Sequence, residues 1–299
     1  MSPTDPHPPW PAVREAVARA LTEDVQGLGD LTAALVPADA VGALVLMSRS
    51  EGVIAGQRCA EETFTQVDRD LRVTWHRPDG TEVSPGDEVA RVDGPLRSIL
   101  TAERTALNFL CHLSGVASLT RLFVDAARAA NPAVRVLDTR KTTPGLRALE
   151  KAAVRAGGGH NHRASLSDAV LVKDNHLGAL GIAGAVASAR ELWPGRMVEV
   201  ECDRPEQVQD ACRAGATAVL LDNMSPEQVS ACVALARHEA GDRGVLVEVS
   251  GGLSLGTIAR YAATGADLLS VGALTHSAPV LDIGLDLVPG HAPGLVKEA

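Results

Sequence analysis

The sequence predicts an α/β fold in which a small, mostly β module precedes an incomplete α/β barrel of six or seven strands. Two observations carry this prediction. In the second half of the chain, β-prone runs alternate with Ala-rich helical segments, and a polar group follows strand after strand. With 299 residues, of which 45% are hydrophobic and 22% charged, the chain can bury one large core or two ordinary ones.

The N-terminal segment predicts a loose tail and a first helix. Residues 1–11 carry five prolines and no apolar run, so they resemble neither a signal peptide nor a membrane span. Apolar residues at helical spacing begin at Pro11 and end near Asp24. Because no export signal is recognisable, a cytoplasmic location is the expectation.

A β module and a second helix follow. Short β-prone runs broken by turn signals fill the stretch from Val41 to Val92. Residues 96–113 return to a helical pattern, with Gly115 just beyond its predicted end. We therefore expect a first domain over residues 12–115. A C-terminal segment, residues 280–299, is expected to pack back on it.

The barrel domain is predicted over residues 116–279. Alternating strands and helices are typical of a parallel sheet with crossover helices, and this region is shorter than the ~250 residues of a complete eight-unit barrel. A doubly wound open sheet is the alternative. The predicted strands are Val134–Thr139, Ala169–Lys173, Met197–Cys202, Ala218–Asp222, Gly244–Val249 and Asp267–Val271.

Polar groups at the strand ends favour the barrel. Because the carboxyl ends of parallel strands meet at one edge of the sheet, these groups would converge on a single site. They are Arg140 with Lys141, Lys173, Glu201, Asp222, Ser250 with Gly251 and Gly252, and Gly272.

The charge distribution indicates a small anion as ligand. With 28 Lys and Arg against 37 Asp and Glu, the net charge is −9, which argues against nucleic acid or an anionic membrane as a partner. Only residues 138–176 concentrate basic side chains. Three of these, Arg147, Lys151 and Arg155, recur at helical spacing, where a solvated helix face is a simpler interpretation than a binding face.

Two cations end the first barrel strand. Arg140 offers a planar fork for a carboxylate, and Lys141 a compact charge for phosphate or a second carboxylate. A role as counter-ions to nearby acids is less favoured, because charges at the end of a buried strand usually need partners. Thr143-Pro144 should cap the next helix, which we expect to run until Gly157.

A glycine-rich turn with histidines comes next, at residues 157–163. His162 beside Arg163 is best interpreted as donating hydrogen bonds to an anionic substrate. His160, His162 and His176 could instead bind a metal ion, but the helical spacing typical of zinc sites does not accompany them.

The next three predicted strands carry charged side chains, one lysine and three carboxylates. Lys173 follows an apolar strand, where an ion pair with Asp174 or another acid is the alternative to ligand binding. Glu199 and Glu201 face the same side of one strand and, joined by Asp222, suit ribose hydroxyls or a phosphate-bound magnesium ion. We expect one of these three carboxylates to be purely structural.

Small residues after the last two strands predict a phosphate site. Ser250-Gly251-Gly252 and Gly272-Ala273 expose backbone N–H groups where the late strands of α/β barrels bind phosphate. His276 lies close enough in sequence to add a donor.

Motifs recur in a fixed order along nearly the whole chain after the tail. They are Leu21-Thr-Glu-Asp24 with Gly29-Asp-Leu-Thr32, Thr101-Ala-Glu-Arg-Thr-Ala-Leu-Asn108, His112-Leu-Ser-Gly115, Asp138-Thr-Arg-Lys-Thr-Thr-Pro-Gly145, Gly157-Gly-Gly-His-Asn-His-Arg163, Lys173-Asp-Asn-His176, Leu221-Asp-Asn223 and Ser250-Gly-Gly252. In number and order they closely resemble the quinolinate phosphoribosyltransferase family.

The resemblance implies a fold and a reaction. Members of this family are type II phosphoribosyltransferases with an N-terminal α/β sandwich, an incomplete α/β barrel and a dimer whose subunits complete each other's sites. The expected reaction joins the ribose phosphate of phosphoribosyl pyrophosphate (PRPP) to quinolinate, with loss of carbon dioxide, in NAD biosynthesis. Mg²⁺ is expected with PRPP, and no tightly bound organic cofactor.

The resemblance also implies roles for individual residues. Lys141, Lys173, Glu201 and Asp222 are the expected catalytic residues, the two lysines meeting quinolinate or the phosphates and the two acids the ribose and magnesium. The quinolinate carboxylates would meet Arg104, lent by the other subunit, Arg140, His162 and Arg163. The 5-phosphate would meet Ser250, Gly251, Gly252, Gly272 and Ala273.

Other interpretations differ in acceptor or in class. A related type II phosphoribosyltransferase, of the nicotinate type or the molybdenum-associated relative, would share fold and PRPP site. The segment Asp79–Gly94 looks like a biotinyl or lipoyl carrier, but carriers attach their cofactor to lysine and the first lysine here is Lys141. Five cysteines without a C-x-x-C pair predict reduced thiols.

Overall fold

The protein, seen in a computed structural model, is described over residues 6–173 and 180–288. Residues 1–5 of the predicted tail, Asp174 to His176 and residues 289–299 lie outside the described residues. The chain divides into two compact units. In the described part of the chain, the first unit lies within the ranges Met1–Arg121, Thr142–Gly158 and Ser277–Ala299, and the second within Leu122–Lys141 and Gly159–His276. Unlike the predicted domains, this division groups residues 142–158 with the N-terminal part of the chain.

The described elements alternate as follows. The strands are β1 (Val41–Ser48), β2 (Gly52–Val53), β3 (Arg72–Trp75), β4 (Glu82–Val83), β5 (Glu88–Pro95), β6 (Arg135–Leu137), β7 (Val170–Val172), β8 (Val198–Cys202), β9 (Ala218–Asp222), β10 (Leu246–Ser250), β11 (Leu268–Ser270) and β12 (Ile283–Leu287). The α-helices are α1 (Trp10–Asp24), α2 (Gln57–Val67), α3 (Leu96–Ala130), α4 (Arg147–Ala156), α5 (Gly181–Leu192), α6 (Pro205–Ala214), α7 (Pro226–Ala240), α8 (Ile258–Ala262) and α9 (Ala273–His276). Short 3-10 helices cover Ala33–Leu35 and Gly241–Arg243.

The first unit is built on an antiparallel sheet of four strands in the order β12-β1-β5-β3. The apolar side of α3 predicted from its spacing is buried, including Ile99, Ala106 and Leu110. These side chains belong to two core clusters that also contain strand residues such as Leu44 and Leu46. The α/β sandwich is therefore confirmed. Helix α2 lies inside the stretch that the sequence predicted as mostly β.

Helix α3 continues seventeen residues beyond its predicted end at Leu113, passing through Gly115. A Cβ atom on Gly115 would lie 2.0 Å from the carbonyl oxygen of Pro279. The glycine therefore permits a close approach of the chain before β12, and its prediction as a helix stop was wrong. Among the described helices, α3 is long and apolar enough to cross a membrane, but 61% of its most apolar window is buried within the protein, as is usual for a core helix.

Two predictions about α4 were wrong. The helix begins at Arg147 with Leu146 as its N-cap residue, so Thr143 does not cap it, and the Thr143 amide N–H instead donates to the Glu150 carboxylate at 3.0 Å. The helix face of Arg147, Lys151 and Arg155 is not solvated, since Lys151 is only 3% exposed and the two arginines are half-buried. Arg155 donates to the backbone carbonyl of His7, which shows that the face packs against other parts of the first unit.

The second unit contains a six-stranded sheet in the order β6-β11-β10-β9-β8-β7. All five pairings are parallel, and from β7 to β11 each strand pairs with its successor in sequence. Pairing of the first strand, β6, with the last, β11, is the order of a barrel and excludes the doubly wound alternative, whose order reverses at a switch point. Among the described residues, β6 and β7 do not pair with each other. The only isolated bridge in the described ranges joins Leu137 of β6 to His160, which precedes β7 in the chain. The barrel is therefore incomplete, as predicted.

Candidate active site

The carboxyl ends of the barrel strands surround one cavity of about 550 Å³ within the second unit. Every residue that the sequence proposed for the site lines it, with the exception of Arg104. These residues are Arg140, Lys141, His162, Arg163, Lys173, Glu201, Asp222, Ser250, Gly251, Gly252, Gly272, Ala273 and His276. The strand-end argument thus places together side chains that are more than a hundred residues apart in sequence.

Lys141 and Gly272 form one side of the cavity. The backbone carbonyl of Lys141 accepts a hydrogen bond from the Thr275 hydroxyl at 2.8 Å, which fixes the strand end against the α9 segment. A Cβ atom on Gly272 would lie 3.1 Å from Cδ of Lys141 and 3.2 Å from Nε2 of His276. A side chain larger than that of glycine would crowd both Lys141 and His276, which explains the small residue here.

Carboxylates occupy the opposite strands. The Lys173 ammonium contacts the Glu201 carboxylate, so the ion pair considered as an alternative for Lys173 exists, with Glu201 as its partner. Burial and the charge of Glu201 raise the pKa of Asp222, against the lowering effect of Lys173 and Lys141. Two carboxylates that repel each other across the cavity are a donor set that a hard cation such as Mg²⁺ accepts.

The Ser250-Gly251-Gly252 loop has a backbone that only glycine adopts easily. Gly251 has φ of +97°, and a Cβ atom there would lie 2.8 Å from the backbone nitrogen of Asn223. In the described part of the chain, the amide N–H groups of Gly251 and Gly252 donate no backbone hydrogen bond. They remain available to donate to an anion.

His162 lies at the floor of the cavity and is bound by protein groups through both ring nitrogens. Nε2 lies 3.1 Å from Glu199 and 3.3 Å from Glu248, and Nδ1 accepts the amide N–H of Arg163 at 2.8 Å. Burial raises the pKa of Glu199 to about 7 against the lowering effect of His162. Glu199 is thus the one of the three carboxylates that contacts His162 beneath the cavity rather than lining the cavity itself.

The ligand atoms of His162, Glu199 and Glu248 all lie within 4.8 Å of one another, a donor set that suits a divalent metal ion. Sequence reasoning did not single out Glu248. Its signal was available, because Glu248 interrupts an apolar run, from Val245 to Val249, in the same way that Glu199 interrupts β8.

Arg104 belongs to the first unit. It is exposed on α3 and makes no hydrogen bond or ion pair within residues 6–173 and 180–288. The five cysteines are all free, and four of them are buried.

Comparison with family models decides the family. Residues 30–114 match the N-terminal domain of quinolinate phosphoribosyl transferase, and residues 116–286 match its C-terminal domain. The chain belongs to the quinolinate phosphoribosyl transferase family. The two matched regions meet at residues 114–116, where the sequence predicted a domain boundary.

Individual relatives agree with this family. The carboxylating nicotinate-nucleotide pyrophosphorylase of Mycobacterium leprae (strain TN) is 46% identical over 282 residues, which cover 92% of this chain and 97% of the relative. The human protein of that name is 40% identical over 89% of each chain. The solved structure of the nicotinate-nucleotide pyrophosphorylase from Francisella tularensis superposes with a TM-score of 0.88 at 38% identity, covering 95% of this chain and 99% of the other.

Proposed function

We infer that the chain transfers the 5-phosphoribosyl group of PRPP to quinolinate with decarboxylation, giving nicotinate mononucleotide, pyrophosphate and carbon dioxide. The observation that carries this function is the composition of the cavity. It brings Arg140, Lys141 and Arg163, which suit a dicarboxylate, into one space with Glu201 and Asp222, which suit ribose and magnesium.

The residues agree with the chemistry of the first step. Displacement of pyrophosphate builds positive charge on the ribose and negative charge on the leaving group. Carboxylates beside the ribose and lysines beside the phosphates stabilise both charges, so positioning and electrostatics supply most of the catalysis and no nucleophilic side chain is required. Glu201 and Asp222 would also hold the magnesium ion that accompanies PRPP.

The second step needs an electron sink rather than a strong base. Once the pyridine nitrogen is bonded to ribose, the ring is a cation. It accepts the electron pair that stays on the ring carbon when the adjacent carboxylate leaves as carbon dioxide. The cavity's contribution is then to orient the dicarboxylate, which is the role we assign to Arg140, His162 and Arg163.

A homodimer, or a higher assembly of dimers, with shared active sites is part of the proposal. Arg104 is exposed, and beside α3 the first unit exposes three large apolar side chains, Leu28, Leu31 and Leu35. The loop that carries them is tied to α3 by a hydrogen bond from Thr101 to Asp30. An apolar surface next to an unpaired arginine suits a two-fold interface, in which each subunit lends its arginine to the other. A cytoplasmic location stays a prediction.

The reaction is tested by carbon dioxide release. We expect release from quinolinate that depends on both PRPP and magnesium, and no nucleotide from nicotinate under the same conditions. Turnover of nicotinate in place of quinolinate would replace the proposed acceptor. Release without PRPP would contradict phosphoribosyl transfer.

Subunit complementation tests the shared site. Arg104→Ala and Lys141→Ala should each be nearly inactive, yet regain activity when mixed and allowed to exchange subunits. Random exchange makes about half of the dimers mixed, each with one intact site, so at most roughly a quarter of wild-type activity returns. If mixed dimers form and the mixture stays inactive, both residues act within one subunit.

A further inference from the structure

Three ionisable side chains meet beneath the cavity of the second unit. Nε2 of His162 lies between Oε2 of Glu199 and Oε2 of Glu248, at 3.1 Å and 3.3 Å. Glu199 belongs to β8 and Glu248 to β10, and the side chain of each is only 1% exposed. We call these three residues the carboxylate–histidine cluster.

Stability alone does not account for the cluster. Within residues 6–173 and 180–288, Oε1 of Glu199 and both carboxylate oxygens of Glu248 are buried without a hydrogen bond. Incompletely paired buried carboxylates disfavour folding, and apolar side chains of similar volume are often as stable or more stable in their place. Two such glutamates beneath a ligand cavity therefore indicate a role in that cavity.

The imidazole of His162 connects the glutamates to the backbone of the neighbouring residue. Nδ1 of His162 accepts a hydrogen bond from the amide N–H of Arg163 at 2.8 Å. The amide N–H of His162 donates to Oδ1 of the buried Asp138 at 2.9 Å, so the turn is also held from its other side. The guanidinium of Arg163 donates to the backbone carbonyl of Ala169 at 3.1 Å. These contacts fix where the Arg163 side chain enters the cavity.

We propose that Glu199 and Glu248 are positioning residues for the dicarboxylate site, which hold His162 and, through it, Arg163. The inference rests on the proposed function, which assigns Arg163 to a quinolinate carboxylate. A guanidinium fork binds a carboxylate well only when the two planes are aligned, so a loosened turn weakens the contact without removing a charge from it.

The hydrogen bonds fix where the ring of His162 carries its proton. Because Nδ1 accepts the amide N–H of Arg163, the proton lies on Nε2, which faces both carboxylates.

Glutamine substitutions separate positioning from a general structural role. In Glu248→Gln and in Glu199→Gln, KM for quinolinate should rise about tenfold to a hundredfold, while KM for PRPP stays close to the wild-type value. Glu191→Gln is the matched control, because Glu191 is exposed on α5 of the same unit and its replacement removes the same charge. Its kinetics should equal those of the wild type.

A double-mutant cycle tests whether the glutamates act through His162. In a His162→Ala background, Glu248→Gln should cause no further rise in KM for quinolinate. The proposal is overturned if the double variant raises KM for quinolinate by the product of the two single effects. It is also overturned if KM for PRPP rises as much as KM for quinolinate. If Glu248→Gln does not fold by circular dichroism, Glu199→Gln decides in the same cycle. A wild-type protein without turnover would instead contradict the proposed function, so the two failures are distinguishable.

Discussion

Each unit of the protein buries a glutamate against a histidine, but the two contacts differ in how many of the carboxylate oxygens accept a hydrogen bond. In the first unit, Oε1 of Glu150 lies 2.9 Å from Nε2 of His112, and Oε2 accepts the amide N–H of Thr143 at 3.0 Å. Both carboxylate oxygens have partners. In the second unit, His162 faces two glutamates, three of whose four oxygens have no hydrogen bond among the described residues.

The difference separates a structural contact from a functional one. Glu150 accepts a backbone N–H in front of α4 and a side-chain donor from α3, so it ties two elements of the first unit together. Glu199 and Glu248 leave polar atoms incompletely paired at the floor of a cavity. Burial without full pairing disfavours folding, and proteins retain it mainly where function requires it.

The largest expected effect concerns Arg163, whose amide N–H donates to His162 of the carboxylate–histidine cluster. Arg163→Ala should lose most activity with the fold intact, since a charged hydrogen bond to a substrate carboxylate contributes roughly 1.5 to 3 kcal/mol. That range corresponds to a fall of about tenfold to more than a hundredfold in kcat/KM for quinolinate per bond lost. A near wild-type kcat/KM in a folded variant would remove Arg163 from the site.

The comparison itself is tested by stability. Glu150→Gln should destabilise the protein by about 1–3 kcal/mol, because the amide NH₂ must face one of two donors, His112 or the Thr143 N–H. Glu248→Gln should change the free energy of unfolding by less than about 1 kcal/mol or increase it, because it removes a buried charge that lacks full pairing.

Urea unfolding of both variants measures these two changes under identical conditions. The kinetics should rank in the opposite order, with KM for quinolinate altered more by Glu248→Gln. If Glu248→Gln is the more destabilised of the two variants, the carboxylate–histidine cluster is a structural contact like that of Glu150 with His112.

Sequence patterns predicted the barrel better than the module before it. The six parallel strands are short, mostly apolar runs bounded by turn residues, interrupted by glutamates in β8 and β10, which is close to the pattern of strands buried on both faces. Helix α2 was missed because its buried side includes the small or polar residues Cys59, Ala60 and Thr63 as well as Phe64. The burial of Lys151 was missed for a related reason: helical spacing gives a face, but not what packs against it.

The sequence predicted the site residues that lie at strand ends, but not the side-chain contacts between residues of different strands and turns. Arg140, Lys173 and Asp222 each follow an apolar run, so topology alone brings them together. The contact of His162 with Glu199 and Glu248 joins a turn to two different strands. Nothing in the sequence states that pairing, although the interruption of an apolar run by Glu248 was a signal for the residue itself.

The smallest expected effects are those of competing ligands and salt. They should arise at the cavity above the carboxylate–histidine cluster and not at the contact of Glu150 with His112. Phthalate, a ring dicarboxylate, should compete with quinolinate, and pyrophosphate should compete with PRPP, because both anions suit the cations that line the cavity. Activity should fall severalfold as ionic strength rises, since at 0.1 M salt charges interact only within about 10 Å. These effects follow from a cationic cavity in a protein whose net charge is −9.

Hydrogen exchange locates the binding of phthalate. Because a ligand that binds only the folded state slows its opening, phthalate should increase protection of the amides of His162 and Arg163. The amides of α4, which lie near the fully paired Glu150, should exchange at an unchanged rate. Protection that is equal in α4 and in the turn would show global stabilisation rather than binding at the cavity. An unchanged rate of turnover at high phthalate concentration would mean that the cavity does not accept a ring dicarboxylate.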